Sequence, residues 1–316
     1  MATQGKPRWY KPDAGLAARM VLTMLLLGLV YVVFAGVLWW VGIPWPYLVV
    51  GAALIAGFQL FFSDKIALAS MRAQYVDEQQ APQLHDMIGR LAAQANLPKP
   101  KIAIVETQIP NAFATGRDAN HAVVAITTGL LQGSGLSQPE IEAVIAHELT
   151  HIINRDMLVM TIATFFSMVA ALIVRSFIWS SMFGGYGGYR RSNSNDNSGI
   201  IVLIAILASV VTYVVSFILI RALSRYRELA ADRGSALITG APENLATALM
   251  RISGAIESNR IPQKDFRQAQ TVNALFIVPA LKGDGLATLF STHPSLEQRL
   301  AQLQQMQQQM ESARNL

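Results

Sequence analysis

Between Met20 and Phe62 the chain carries no Asp, Glu, Lys, Arg or His, and only Gly42 and the Pro44-Trp45-Pro46 breaker interrupt the apolar run. A hydrocarbon core about 30 Å thick needs roughly 20 helical residues at a rise of about 1.5 Å each. The run is long enough for a hairpin of two spans. Composition agrees, with 52% of residues hydrophobic and 14% charged, against about 25% charged in an ordinary soluble domain. This excludes a disordered chain, a coiled coil and a simple cytosolic enzyme. Lys6, Arg8, Lys11 and Arg19 would suit the basic start of a secretory signal peptide, but the apolar segment is too long for one and lacks a small-residue cleavage site.

A third uncharged run covers Met157 to Val174 and a fourth covers Asn197 to Ile220, stopped by Arg221. The expected spans are therefore about 20–41, 46–62, 157–179 and 199–220, with Arg175 interrupting the third. Basic residues gather on one side of them: the N-terminal four, then Lys65, Arg72, Arg155, Arg221, Arg225 and Arg227. By the positive-inside rule both termini and the segment between spans two and three face the cytoplasm. The net charge of +5 records that orientation and does not point to a nucleic-acid partner. The far-side loop 180–198, rich in Gly, Ser and Asn, carries no assigned chemistry. The expected organisation is a basic segment and hairpin over 1–62, a water-facing part over 63–156, two further spans over 157–220 and a second water-facing part over 221–316. The spans hold almost no ionisable residues, which argues against a transporter.

With no Cys, the chain can form neither a disulfide nor a thiolate metal site. Any metal must sit on His and carboxylate. Ser137-Gln138-Pro139-Glu140 has the form of a helix start, with Ser as N-cap, Glu at the third position and Pro in the first turn. Ile141, Val144, Ile145, Leu149 and Ile152 then recur at helical spacing. His147 and His151 lie four apart on that helix, so both imidazoles project from one face one turn apart, where a single Zn2+ can bridge them. Glu148 completes His147-Glu148-Leu149-Thr150-His151, the H-E-x-x-H pattern of metallopeptidases, whose Glu serves as general base. A catalytic zinc usually takes three protein ligands and leaves one position open. Beyond span four, Glu228 and Asp232 share a helical face, so one can ligate while the other accepts a ligand histidine's ring N–H. The competing reading is a solvated helix in which Arg225, Arg227, Glu228 and Asp232 neutralise one another. Given the histidine pair, Glu228 is the favoured third ligand.

Taken in order, the basic N-terminus, the hairpin, the H-E-x-x-H, two more spans and Arg227-Glu228-Leu229-Ala230-Ala231-Asp232 resemble the HtpX-type integral-membrane zinc metalloproteases. These belong to the gluzincin group, which also includes the CAAX prenyl endopeptidases. The resemblance implies an α-helical membrane protein with four transmembrane helices and a cytoplasmic α+β zincin-like protease domain, in which an active-site helix packs on a small β-sheet. It implies one Zn2+ per chain on His147, His151 and Glu228, Glu148 as the catalytic base, and Asp232 behind a ligand histidine. By the same resemblance Pro110-Asn111-Ala112-Phe113-Ala114-Thr115-Gly116 is the edge strand that grips extended substrate, with Asn111, Ala112 and Phe113 as substrate-binding residues, followed by a strand over Ala122 to Ile126. The physical basis is strand addition, in which main-chain hydrogen bonds supply the affinity. Thr292-His293-Pro294-Ser295 resembles the family's late His-Pro element, which gives His293 a role as donor to the oxyanion.

The implied function is quality control: hydrolysis of damaged or misassembled membrane proteins at the cytoplasmic face of a bacterial inner membrane, with the lipid bilayer as the other partner. Two alternatives are a prenyl-protein processing endopeptidase and a non-catalytic membrane scaffold with a structural zinc. The first wants more spans than four, and the second wants a fourth protein ligand. Glu297 to Asn315 reads as an amphipathic helix in which Leu300, Leu303 and Met306 pack inward.

Overall fold

The computed structural model describes residues 13–40, 45–183, 198–257, 277 and 292–314. The loop 180–198 lies mostly outside the described residues. In chain order the elements are α1 (Ala14–Trp40), α2 (Trp45–Ser70), β1 (Gln74–Tyr75), α3 (Pro82–Gln94), β2 (Lys101–Val105), β3 (Ala112–Thr115), β4 (Val123–Thr127), α4 (Gln138–Ile153), α5 (Asp156–Phe183), α6 (Ser198–Thr239), α7 (Pro242–Glu257) and α8 (Leu296–Arg314).

Among the described residues three helices are long and apolar enough to cross a membrane alone, within α1, α2 and α6; α5, bent 58° from α4, can supply a fourth. Their outward side chains are large and apolar, Leu25, Val32, Trp39 and Leu54 each being about 70% exposed, as lipid-facing residues should be. Inside the bundle α1 and α5 both pack on α6. Leu27, Tyr31, Ala163 and Leu223 form one buried cluster and Phe34, Leu38 and Ala170 another. Two polar side chains at that depth bridge helices: the Tyr31 hydroxyl donates to the Ala163 carbonyl, and Gln59 Nε2 donates to Thr164 Oγ1 at 2.9 Å.

The helices outrun the apolar segments of the sequence. The second span, expected to stop at 62, continues as helix to Ser70 through Asp64 and Lys65. The fourth, expected over 199–220, is part of a single 42-residue helix ending at Thr239. At about 1.5 Å per residue it is twice as long as a bilayer core is thick, and its second half, beyond the apolar run, packs against α4 and α8. Loss of hydrophobicity ends a span but not a helix, because backbone hydrogen bonding continues until a residue stops it.

The sheet has the order β1-β2-β4-β3, with β2 and β4 parallel and both outer strands antiparallel to their neighbours. β3 is therefore an edge strand, and its register sets Phe113 opposite Ala125 and Ala112 opposite Ile126. β4 is buried along its whole length. The main core lies between the sheet and α3, α4, α7 and α8, and includes Ile88, Leu91, Ile126, Ile145, Leu149, Leu249 and Leu303. Leu303 and Met306 of α8 are buried as expected.

Two contacts seat α4 against α6. Ser235 Oγ donates to the Ala143 carbonyl at 2.6 Å. One residue earlier, Gly234 lies so close to α4 that a Cβ there would meet Thr150 Cγ2 at 2.2 Å. Glycine at this point lets the two helix backbones approach, and that approach brings Asp232 and Glu228, within the two turns before it, to the histidines.

Candidate metal centre

The active helix starts as its sequence predicts: Glu140 Oε2 accepts from Ser137 N–H at 2.6 Å and from Ser137 Oγ at 2.8 Å. Two turns on, His147 and His151 bring their Nε2 atoms within 3.2 Å of each other. From α6, Glu228 places Oε2 3.6 Å from His147 Nε2 and Oε1 3.5 Å from His151 Nε2. Three ligand atoms within 4.8 Å of one another, from two imidazoles and a carboxylate, form the metal-capable group among the described residues. Ligands on a tetrahedral zinc with bonds of about 2.0–2.2 Å sit roughly 3.3–3.6 Å apart. The observed spacings fit.

The far nitrogens of both rings support the same reading. His147 Nδ1 lies 2.9 Å from Asp232 Oδ1, and His151 Nδ1 lies 2.6 Å from Asp156 Oδ2. A carboxylate at Nδ1 holds the proton there and leaves the Nε2 lone pair free to bind metal. Each carboxylate is in turn held by a guanidinium. Arg299 from α8 donates to Asp232 with Nε at 2.8 Å and Nη2 at 2.5 Å. Arg227 Nε lies 3.0 Å from Asp156 Oδ1. The site is thus built from two parallel relays, His147–Asp232–Arg299 and His151–Asp156–Arg227.

Burial and charge act against each other throughout the cluster. Burial opposes ionisation of Asp232, but Arg299 overrides it and holds the carboxyl below the ordinary range; Arg227 does the same for Asp156. Burial also disfavours the Glu228 anion, yet the adjoining histidines, His293 first among them, keep it well below the usual carboxylate value. Burial would depress His147, but Asp232 and Glu228 push it up to about 9. Glu148 differs from the other acids. Burial pushes its carboxyl up, with His151 and His147 pulling the other way without overcoming it.

Glu148 is oriented by the sheet. Its Oε2 accepts the Ala114 N–H at 2.8 Å, so the edge of β3 that does not pair with β4 opens directly on this carboxylate. The residues named for substrate binding are placed differently from one another. Asn111 has no exposed surface, and its Oδ1 accepts the Ile277 N–H at 2.9 Å. The Ile277 carbonyl in turn accepts from Arg299 Nη1 at 2.5 Å, so Asn111 is joined through one residue to the relay behind His147. Ala112 and Phe113 are buried in side chain; what they can offer an extended peptide is backbone. His293 is buried with Nδ1 3.1 Å from Glu228 Oε2. It stands against the ligand carboxylate.

Sequence reasoning did not assign Asp156 or Arg299 to the site, and it gave Arg227 only a neutralising role among its own helix neighbours. Asp156 carried a signal, an acid just beyond the helix end that bears His151. Arg299 carried none, since an arginine in a Gln-rich terminal helix reads as solvated.

Residues 78–307 match the family model described as Peptidase family M48. The chain is 52% identical over 303 residues to a protease HtpX homolog of Moorella thermoacetica, covering 96% of this chain and 98% of that one. It is 52% identical over 305 residues to protease HtpX homolog 2 of Methanosarcina acetivorans, covering 96% and 99%. Among solved structures, the crystal structure of S. mikatae Ste24p has a similar fold, with a TM-score of 0.53 at 18% identity over 92% of this chain and 67% of the other. That likeness speaks for the fold alone. Relatives matched nearly end to end, together with a family model that takes in both histidines, Glu228 and Arg299, settle the assignment: the chain belongs to peptidase family M48, as a multi-pass membrane zinc metallopeptidase of the HtpX type.

Proposed function

We propose that this peptidase is an endopeptidase that cleaves damaged, misfolded or misassembled membrane proteins at the cytoplasmic membrane face, with one Zn2+ per chain. The observation that carries the reading is the Ala114 N–H to Glu148 contact. It joins an edge strand able to take up extended peptide to the carboxylate that must handle the proton. Strand addition selects for unfolded backbone rather than for a side-chain motif, which suits a substrate defined by lost structure. The extension of α6 keeps Glu228 a few residues beyond the bilayer run, so cleavage takes place close to the membrane surface.

When bound to His147, His151 and Glu228, zinc supplies a Lewis acid that acidifies water and polarises a carbonyl. The chain's own residues do the rest. Glu148, with Oε2 fixed by Ala114, uses Oε1 to take the proton of the attacking water and returns it to the leaving amine. Its raised pKa brings it closer to neutrality, where a base can both accept and release a proton. Asp232 and Asp156 fix the tautomer and orientation of the two ligand rings. His293, buried at the edge of the cluster, is assigned as the donor that faces the developing oxyanion. Asn111, Ala112 and Phe113 are assigned to the strand that receives substrate, in a water-facing unit drawn from 63–156 and 221–316; the Asn111 N–H and carbonyl are taken by Thr127, so Asn111 serves by holding the strand in place.

The orientation follows from Lys65, Arg72, Arg155, Arg221 and Arg225 lying on the side of the site. Relatives include archaeal proteins, so the assignment is to a prokaryotic cytoplasmic membrane rather than a bacterial one in particular. The test compares wild type, Glu148→Gln and Glu228→Ala for zinc content and for cleavage of casein and of a destabilised membrane protein. Glu148→Gln should keep the metal and lose cleavage; Glu228→Ala should lose both. Cleavage by Glu148→Gln would refute the reading, and a strict need for a prenylated peptide would favour the prenyl-processing alternative.

A further inference from the structure

Asn111 immediately precedes the edge strand β3 and has no exposed surface. Its backbone is fixed by the end of β4. The N–H donates to Thr127 Oγ1 at 2.8 Å, and the carbonyl accepts the Thr127 N–H at 2.9 Å and the Thr127 hydroxyl at 3.0 Å. Thr127 is itself fully buried. Asn111 is therefore anchored to the sheet by its main chain, and a short side chain on a fixed backbone has few rotamers in which to make a contact.

What that side chain holds is a peptide group. Its Oδ1 accepts the Ile277 N–H at 2.9 Å, and the carbonyl of the same residue accepts Arg299 Nη1 at 2.5 Å. Ile277 is buried, so its main-chain groups cannot turn to water for partners. Arg299 commits Nε and Nη2 to Asp232, and a guanidinium is a rigid planar fork. Whatever holds Nη1 therefore sets the plane that grips Asp232, and Asp232 faces His147 Nδ1 at 2.9 Å. Buried donor–acceptor contacts thus run from the sheet to a metal ligand through Thr127, Asn111, Ile277, Arg299, Asp232 and His147. Because Ile277 contributes only main-chain atoms, the acceptor has to come from position 111. An amide suits it: a carboxylate there would add an anion to a buried cluster in which Arg299 already answers Asp232.

We propose that Asn111 is a positioning residue for the metal centre: through the Ile277 peptide group its side chain sets the Arg299 guanidinium, and thereby the His147 ring, instead of contacting substrate. The inference rests on the ligand set described above. It gives the side chain a task separate from that of the backbone, which holds the strand. The two tasks separate in measurement, because a side chain that bound substrate would act on KM, whereas one that supports a ligand acts on metal affinity.

The test uses the full-length enzyme in nonionic detergent. Zinc affinity is read by chelator competition, ligand geometry by the visible spectrum of the Co2+-substituted protein, and KM and kcat at saturating zinc. Asn111→Leu, which keeps the size and deletes the acceptor, should weaken zinc binding about tenfold, the low end of the loss for support behind a ligand. It should also shift the Co2+ bands and leave KM unchanged. Asn111→Asp keeps the acceptor and should recover part of the affinity and of the wild-type spectrum. Because the effect runs through Arg299, adding Asn111→Leu to Arg299→Met should loosen zinc no further than Arg299→Met alone. A raised KM with wild-type zinc affinity and spectrum would give the side chain to substrate and overturn the proposal. A lowered unfolding midpoint with an unchanged Co2+ spectrum would overturn it too, as would losses that multiply in the double variant. Should Asn111→Leu fail to fold, Asn111→Ser, too short to reach Ile277, carries the same comparison. Cleavage by Glu148→Gln would instead defeat the peptidase mechanism and leave these metal readouts untouched, so the two failures are distinguishable.

Discussion

Arg299 holds Asp232 in a two-pronged grip, Nε on Oδ2 at 2.8 Å and Nη2 on Oδ1 at 2.5 Å, with both side chains almost wholly buried. Asp232 in turn faces His147 Nδ1, so a residue on the last helix sets the orientation of a ligand on the active helix. Removing one partner of a buried ion pair commonly costs about 3–5 kcal/mol, because the other charge is left unpaired. Arg299→Met should therefore lower the unfolding midpoint and weaken zinc binding about 10–100-fold, the usual effect of losing support behind a ligand. Arg299→Lys should recover only part, since an ammonium cannot reproduce the fork. Chelator competition and thermal unfolding check both; wild-type zinc affinity in Arg299→Met would show that the grip is structural only.

Ala114 contributes its backbone, not its side chain. Proline at this position removes the N–H that Glu148 accepts, and an edge strand tolerates proline when the lost donor does not pair with the neighbouring strand. A hydrogen bond to a charged group is worth about 1.5–3 kcal/mol. Ala114→Pro should reduce kcat at least about tenfold while zinc content stays at one per chain. Metal analysis beside steady-state kinetics on one preparation separates this from a loss of fold.

The contact at Gly234 predicts a packing defect. A methyl group there meets Thr150 Cγ2 at 2.2 Å and Oγ1 at 2.4 Å, and Thr150 is itself fully buried. Gly234→Ala should destabilise by about 1–3 kcal/mol through overpacking, and Thr150→Ala in the same chain should restore part of the loss. Because the carboxylates ride on the helix that must move, activity should fall with stability in the single variant and recover with it in the double. Thermal unfolding of the three proteins measures the coupling.

The absence of cysteine makes orientation directly measurable. Single cysteines placed by Asp77→Cys and Glu311→Cys should resist a membrane-impermeant maleimide in intact cells and react after lysis. Ser194→Cys, in the loop between the third and fourth spans, should react in intact cells. The reverse pattern would move the active site to the opposite face.

What the linear sequence determined is whatever depends on spacing along one helix. The apolar runs mark the spans, Ser137 and Glu140 begin α4 where they should, and the four-residue interval puts His147 and His151 on one face. Glu228 and Asp232 were readable as a pair on one helical face, returned to the side of the histidines by two crossings, with Glu228 favoured as the ligand. Helix ends were not: α2 and α6 run on past their apolar residues, since hydrophobicity reports immersion while the backbone decides continuity. The tertiary structure alone decided the support around the ligands. Arg299 reaches Asp232 across a gap of 67 residues, Ala114 reaches Glu148 across 34, and Asn111 takes the Ile277 amide across 166. Such contacts leave no periodic trace in the chain. Burial changes what an arginine or an asparagine is for: in water its polar groups are satisfied anywhere, and inside the protein only by the one partner that folding brings to it.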